Sequence, residues 1–434
     1  MKILLKNAQL VDPQIKLNQV ADILIKDGII LKIDKSISEN ADQVFDLSEG
    51  SFGKDKVIAP GFADVHVHLR EPGREDEETI ESGTAAATAA GFTAVCCMPN
   101  TEPAIDSAEV VTFIKEKAKG LLVDVHAIGA VTKKREGKEL AFLGEMAEAG
   151  VVGFSDDGVA VSTSHLLKYA FEYSSMFDLP VIEHCEDSSL TAEGVMNEGL
   201  NSTKFGLPPH PSLAEDLIAL RDVAILEYTG GRLHIAHIST KGAVEILRHA
   251  KKKGLNVTGE AAPHHFTLTD DAVKTYDTNT KVNPPLRTQE DIDAIIEGLI
   301  DGTIDCIACD HAPHSIEEKE WEYIYSPFGM IGLETSLGLT LTKLYHTKVL
   351  SLEEIIMKMS VNPRKIFKLA EAKIEVGKKA NLTILDLNQI WTVDKFSLKS
   401  KSINTPFHGW ELKGKAVGVV NNSKICFEGK EFSI

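Results

Sequence analysis

The chain has 434 residues, 43% of them hydrophobic, enough to bury a large core. Lys plus Arg number 46 against 64 Asp plus Glu, a net charge of −18, which argues against nucleic acid, whose partners need a basic stripe. The start MKILLKNAQL lacks a signal-peptide layout, no apolar run approaches the roughly 20 residues that cross a bilayer, and the six cysteines read as reduced thiols, so a cytoplasmic protein without membrane attachment is expected.

Residues 1–54 hold short alternating runs with turn signals, such as Ala21–Ile25 followed by Gly28. They are expected to join residues 368–434, which include the run Leu382–Leu387, in one small β-sandwich domain built from both ends of the chain. Between them, over 55–367, one unit recurs: an apolar strand, a polar residue or two, then a helical stretch. The predicted strands are Val57–His68, Thr93–Met98, Val123–Ala130, Val151–Ser155, Pro180–His184, Leu233–His237, Asn256–Ala261 and Asp305–Cys309. Helical periodicity covers Glu78–Ala90, Ala108–Lys119, Glu139–Ala149, Leu213–Glu227 and Gly242–Lys253, with a closing helix pair at about 333–346 and 351–360. Eight apolar strands alternating with helices predict an α/β fold, a closed (β/α)8 barrel with its strands covered from outside.

Sites on such barrels lie at the C-terminal strand ends, and there the polar residues of this chain collect. Strand one ends in His66, His68 and Arg70, strand two in Asn100, and strand four in Asp156 and Asp157. Strand five ends in His184, strand six in His237, strand seven in His264 and His265, and strand eight in Asp310, His311 and His314. His66 and His68 are two apart, so their rings share one face. Two imidazoles joined by carboxylates and imidazoles from other strands suit zinc. A lone H-x-H pair is more often an ordinary pair of histidines, but its convergence with His184, His237 and Asp310 is hard to attribute to chance.

The run Pro60-Gly61-Phe62-Ala63-Asp64-Val65-His66-Val67-His68-Leu69-Arg70-Glu71-Pro72-Gly73 resembles the first signature of dihydroorotases. Ala308-Cys309-Asp310-His311-Ala312-Pro313-His314 resembles the second. Met98–Thr101, Asp156–Gly158, His184–Asp187 and His237–Thr240 fall between them in the family's order. The resemblance implies one zinc on His66, His68, Asp157 and Asp310, and a second on Asp157, His184 and His237, with one of the two sites optional. Asp157 would bridge where many relatives carry a carboxylated lysine. Asp156 is the adjacent rival; Asp157 is preferred, and the choice stays open because neighbouring strand residues face opposite ways.

The implied reaction is the reversible cyclisation of N-carbamoyl-L-aspartate to L-dihydroorotate in pyrimidine biosynthesis. Zinc lowers the pKa of bound water from 15.7 to about 7, and Asp310 is the expected proton shuttle between hydroxide and ring nitrogen. Arg70 offers a planar fork for the substrate carboxylate. The resemblance adds Asn100 and His314 there, Asn283 and Phe328-Gly329 at the ring, and His68 as both ligand and pocket wall. It also implies a homodimer, and leaves association with aspartate transcarbamoylase open.

Other signals read as bland. A surface pair with Glu71 is the plain alternative for Arg70. Cys306 and Cys309, three apart on a strand, face opposite sides, and Cys96, Cys97 and Cys185 are expected to be core. His264 and His265 are left as pocket wall or structure. The stretch Gly409–Lys415 lacks the Ser or Thr of a phosphate loop, since Ala416 follows. The acidic run Glu75–Glu78 is expected to cap a helix. The rival functions are a dihydropyrimidinase, hydantoinase or allantoinase, which resemble the lysine-bridged pattern, and a non-catalytic scaffold, which is expected to have lost ligands.

Overall fold

A computed structural model describes residues 1–48 and 56–433 of the chain. Eight parallel strands form the barrel: Phe62–Val67, Phe92–Cys97, Asp124–Ala127, Phe154–Ser155, Val181–Glu183, Leu233–Ile235, Val257–Ala261 and Cys306–Ile307. The first three pair in order, and so do the last five. Parallel bridges Gly129–Phe154 and Val67–His311 close the ring between the two sheets. Most strands are shorter than their apolar runs, residues leaving the ladder at either end.

Helices Ile80–Ala90, Ala108–Lys117, Leu143–Ala149, Ser164–Ser174, Leu213–Thr229, Lys241–Lys252 and Gln289–Asp301 each follow a strand and cover the barrel from outside. Leu333–Thr340, extended by a π-helical turn to Tyr345, follows the eighth. The second predicted closing helix is broken into Leu352–Ile356, a π-helical turn, and Asn362–Ile366. The strands feed two separate cores. Ala63, Val65, Ala94, Cys96, Ile128 and Cys306 pack in the lumen, closed from below by Phe367 and Leu369. Phe62, Phe92, Cys97 and Cys309 instead join the larger core beneath the helices. These four cysteines thus alternate as two-residue periodicity demands, and they and Cys185 are free and buried.

The predicted strand Val57–His68 is two strands. Lys56–Pro60 lies in the terminal sheet, and only Phe62–Val67 enters the barrel. Gly61 makes the break: a Cβ there would lie 1.8 Å from Asn381 Oδ1 and 2.3 Å from Thr93 Oγ1, so no larger residue fits where the two sheets meet. The terminal sheet has nine strands among the described residues, drawn from 2–60 and 382–433. Its centre is Lys56–Pro60, which runs antiparallel to Leu382–Thr392 and parallel to Lys2–Asp12. The two ends of the chain thereby share one hydrogen-bonded sheet, consistent with the expected β-sandwich domain, with a core of its own around Ile3, Leu5, Ile23, Ile58 and Ile384.

Candidate active site

The first barrel strand carries a bulge that aims its histidines. Asp64 pairs with Val95 but Val67 pairs with Cys97, so one extra residue is inserted. The bulge keeps Val65 in the lumen core and still turns His66 and His68 toward the mouth.

There the expected residues converge. Asp157 Oδ1 lies 3.4 Å from His66 Nε2, 3.5 Å from His237 Nε2 and 3.9 Å from His184 Nδ1. Asp157 Oδ2 is 3.6 Å from His68 Nε2, and Asp310 Oδ1 is 3.2 Å from His68 Nε2 and 3.6 Å from His66 Nε2. Two overlapping sets, His66–His68–Asp157 and Asp157–His184–His237, have their donor atoms within 4.8 Å of one another, with Asp157 common to both. Asp310 borders the first set. Asp156 is turned away: it accepts from Thr132 N at 3.0 Å and Thr132 Oγ1 at 2.5 Å.

The charges fit a cation. His66 Nε2 and Asp157 Oδ1 are buried without a hydrogen-bond partner among the described residues, a costly state that a bound metal ion would relieve. Burial alone would strip the proton from His66, yet Asp157 and Glu260 hold its imidazole well above the ordinary value. Burial likewise opposes ionisation of Asp157 and Asp310, but the surrounding histidines outweigh it and keep both carboxyls well below the usual range. The carboxylates that favour a charged imidazole here would equally favour a bound cation.

A second ring of contacts fixes the imidazoles. His66 Nδ1 donates to Glu260 Oε1 at 2.6 Å, His68 Nδ1 to Asn100 Oδ1 at 2.7 Å, and His184 Nε2 to Glu186 Oε2 at 3.0 Å. His234 Nε2 holds the other Glu260 oxygen at 3.1 Å, and Arg135 Nη2 donates to the Asp157 carbonyl at 2.6 Å. Sequence reasoning missed Glu260, Glu186 and Arg135. For Glu260 the signal was present, a carboxylate inside an otherwise apolar barrel strand.

The remaining candidates line the rest of the mouth. Arg70 is buried, and its Nε is 2.9 Å from Glu77 Oε2 and 3.1 Å from Pro313 O, so its partner is Glu77 and not Glu71. Glu71 instead meets Lys117 and the backbone N–H of Ile80. His314 stands between Glu77 Oε1, 2.9 Å from its Nδ1, and Phe328 O, 2.7 Å from its Nε2; Arg70 Nη2 is 3.4 Å from that same nitrogen. Asn283 Nδ2 donates to Glu186 Oε2 at 2.7 Å. Asn283 and Phe328 line a cavity of about 660 Å³ with Gly158, Glu186 and Arg135, next to Asp157 and His184. His265 Nε2 donates to Pro284 O at 2.9 Å, and burial pushes the neighbouring His264 down to about 4, consistent with neutral, structural rings.

The acidic run is not a set of helix caps. Thr79 caps helix Ile80–Ala90, whereas Glu77 and Glu78 are buried. Glu77 meets Arg70, Arg74 and His314, and Glu78 accepts from His311, Ser400 and the Lys401 N–H. The run therefore ties the first loop of the mouth to the eighth and to the terminal segment.

A closed barrel with overlapping histidine–aspartate groups at its C-terminal mouth, beside a β layer from both chain ends, defines an enzyme of the metal-dependent amidohydrolase class. The solved structure of L-hydantoinase (dihydropyrimidinase) from Arthrobacter aurescens superposes with a TM-score of 0.87 at 26% identity, over 100% of this chain and 97% of that one. The family described as Dihydro-orotase-like matches residues 55–243. Dihydroorotases of Acetivibrio thermocellus and Syntrophus aciditrophicus are 47% and 46% identical over 430 and 431 residues, spanning 99% of this chain and 99% and 100% of theirs. The chain belongs to the dihydroorotase family.

Proposed function

We propose that the protein interconverts N-carbamoyl-L-aspartate and L-dihydroorotate, with zinc held by His66, His68 and Asp157 on one side and by Asp157, His184 and His237 on the other. The biosynthetic direction, ring closure with release of water, serves pyrimidine formation in the cytoplasm. When bound, the metal supplies a water acidic enough to lose a proton near neutrality and an electrophile for the carbonyl under attack. Asp310 would border the first site and complete its ligands.

The chain's own groups carry the remaining work. In ring opening, the oxygen of water bonds to the ring carbonyl carbon, the ring C–N bond breaks, and a proton must travel from water to the leaving nitrogen. Asp310 serves as carrier: ionised by its histidine neighbours, it accepts the proton and returns it to nitrogen. Arg70, with its Nε side fastened by Glu77 and Pro313 O, presents its terminal nitrogens to the substrate carboxylate. Asn100, which orients His68, and His314 flank that carboxylate, while Asn283 and the Phe328–Gly329 backbone meet the pyrimidine ring.

The observation that carries this reading is a buried guanidinium, Arg70, set beside the histidine–aspartate cluster, in a protein whose overall charge of −18 gives an anion no long-range attraction. The likeness to L-hydantoinase supports a second reading, opening of neutral rings. Turnover of L-dihydroorotate, dihydrouracil, hydantoin and allantoin by the zinc-loaded protein separates them. Fast turnover of dihydroorotate alone is expected; opening of the neutral rings alone would install the second reading.

A further inference from the structure

Phe328 and Gly329 lie in the stretch 311–332, where a single turn of helix, Ile316–Lys319, is the only regular element. Buried main-chain carbonyls in such a loop need partners. Here two lysines supply them. Lys281 Nζ donates to Ile324 O at 2.8 Å and to Ser326 O at 2.7 Å. Lys319 Nζ donates to Pro327 O at 2.9 Å and to Gly329 O at 3.0 Å. Both side chains are buried, their residues 2% and 8% exposed. Further ties join the same two loops: Gly329 N donates to Lys281 O at 2.8 Å, and Thr278 Oγ1 to Lys319 O at 2.5 Å. The Lys281 nitrogen also stands 4.6 Å from the centre of the Phe328 ring.

Burying two amines is costly, and apolar side chains of similar volume fill such space at least as well, so stability alone is a poor account of them. What the amines provide is direction. Each takes up two carbonyls of one irregular segment and so dictates which way its peptide planes face. The geometry points to Lys281 and Lys319 as positioning residues that hold the Phe328–Gly329 corner in the shape that receives the pyrimidine ring. This inference rests on the function proposed above and goes beyond it by assigning ring affinity to two side chains that do not touch the substrate. Burial pushes Lys281 down to about 8 and Lys319 to about 7. An amine keeps two N–H groups in either protonation state, so each lysine can serve its two carbonyls on both sides of neutrality.

The test is steady-state ring opening of L-dihydroorotate by zinc-loaded Lys319→Met, Lys319→Arg and Thr278→Val, with zinc content measured on each. Losing two buried donors in Lys319→Met is expected to raise KM about tenfold while kcat changes less than about threefold and zinc content stays that of the parent. Lys319→Arg, which can still donate to two carbonyls, is expected to recover part of that KM. Thr278→Val cuts a single tie between the same loops and is expected to raise KM about threefold, which covers the case in which Lys319→Met does not fold. An unchanged KM in Lys319→Met, or in Thr278→Val if the former does not fold, overturns the proposal. So does a fall in kcat with loss of zinc, the mark of a general structural role. A parent protein inactive on dihydroorotate overturns the function itself, and that result is read before any variant.

Discussion

On one side of the barrel mouth the functional atoms hang from strand ends, and on the other they hang from loops. His66, His68, Asp157, His184 and His237 each sit on or within two residues of a barrel strand, so the register of the sheet sets their separations. Asn283, His314, Phe328 and Gly329 lie in irregular segments after strands seven and eight, where no ladder fixes them. Their places depend on ties from far along the chain: Glu77 to His314, Lys281 to Ser326, and Asn404 Nδ2 to Gly329 O at 3.2 Å. Arg70 and Asp310 stand at the seam between the two sides, with φ of 59° and 47°. Non-glycine residues pay for such left-handed backbone in strain, which is tolerated where surrounding structure holds them. The comparison teaches that the proposed metal side is set by the fold and the proposed substrate side by side-chain ties, so damage to each should read out differently.

The largest expected effect lies at the seam. Asp310→Ala should lower kcat by about 10² to 10⁴, the span of a lost general acid–base group. Because His66, His68 and Asp157 remain to hold the metal that Asp310 helps to ligate, bound zinc should fall far less than activity. Equal loss of both would make Asp310 chiefly a ligand and blur the division. Next comes Glu260→Gln, which touches only the metal side. Removing the carboxylate that orients His66 should weaken zinc binding by about 10- to 100-fold in a competition titration, while KM at saturating zinc stays put. Smaller still is Glu77→Gln on the substrate side. Loosening Arg70 and His314 should raise KM for dihydroorotate about tenfold, with zinc content unchanged. Zinc loss in that variant would mean that the two sides are not separable.

The same division governs what could be read from the sequence. The barrel strands were legible as apolar runs, and the ligand candidates as the polar residues ending them, because both follow from local periodicity. The bulge that turns His66 and His68 was not legible, nor was the break at Gly61, since each depends on a neighbouring strand or on Asn381. Arg70 stood out as a carboxylate binder, and the plain alternative, a pair with Glu71 beside it, does not form; Glu77 is reached only when the loop folds back. Glu78 read as a helix cap, and Lys281 and Lys319 gave no signal, because a charge in a loop ordinarily faces water. The choice between Asp156 and Asp157 rested on the alternation of strand neighbours and needed Thr132 to show where Asp156 points.

The most direct test of the account is diffraction from crystals of the zinc-loaded protein soaked with L-dihydroorotate, with anomalous data collected at the zinc edge. The account predicts zinc on either side of Asp157, with the substrate carboxylate on Arg70 and the ring against Asn283 and Phe328. Among the described residues one further metal-capable group exists, Glu77, His314 and Glu318. Zinc there and not at Asp157, or a substrate carboxylate bound away from Arg70, would contradict the account.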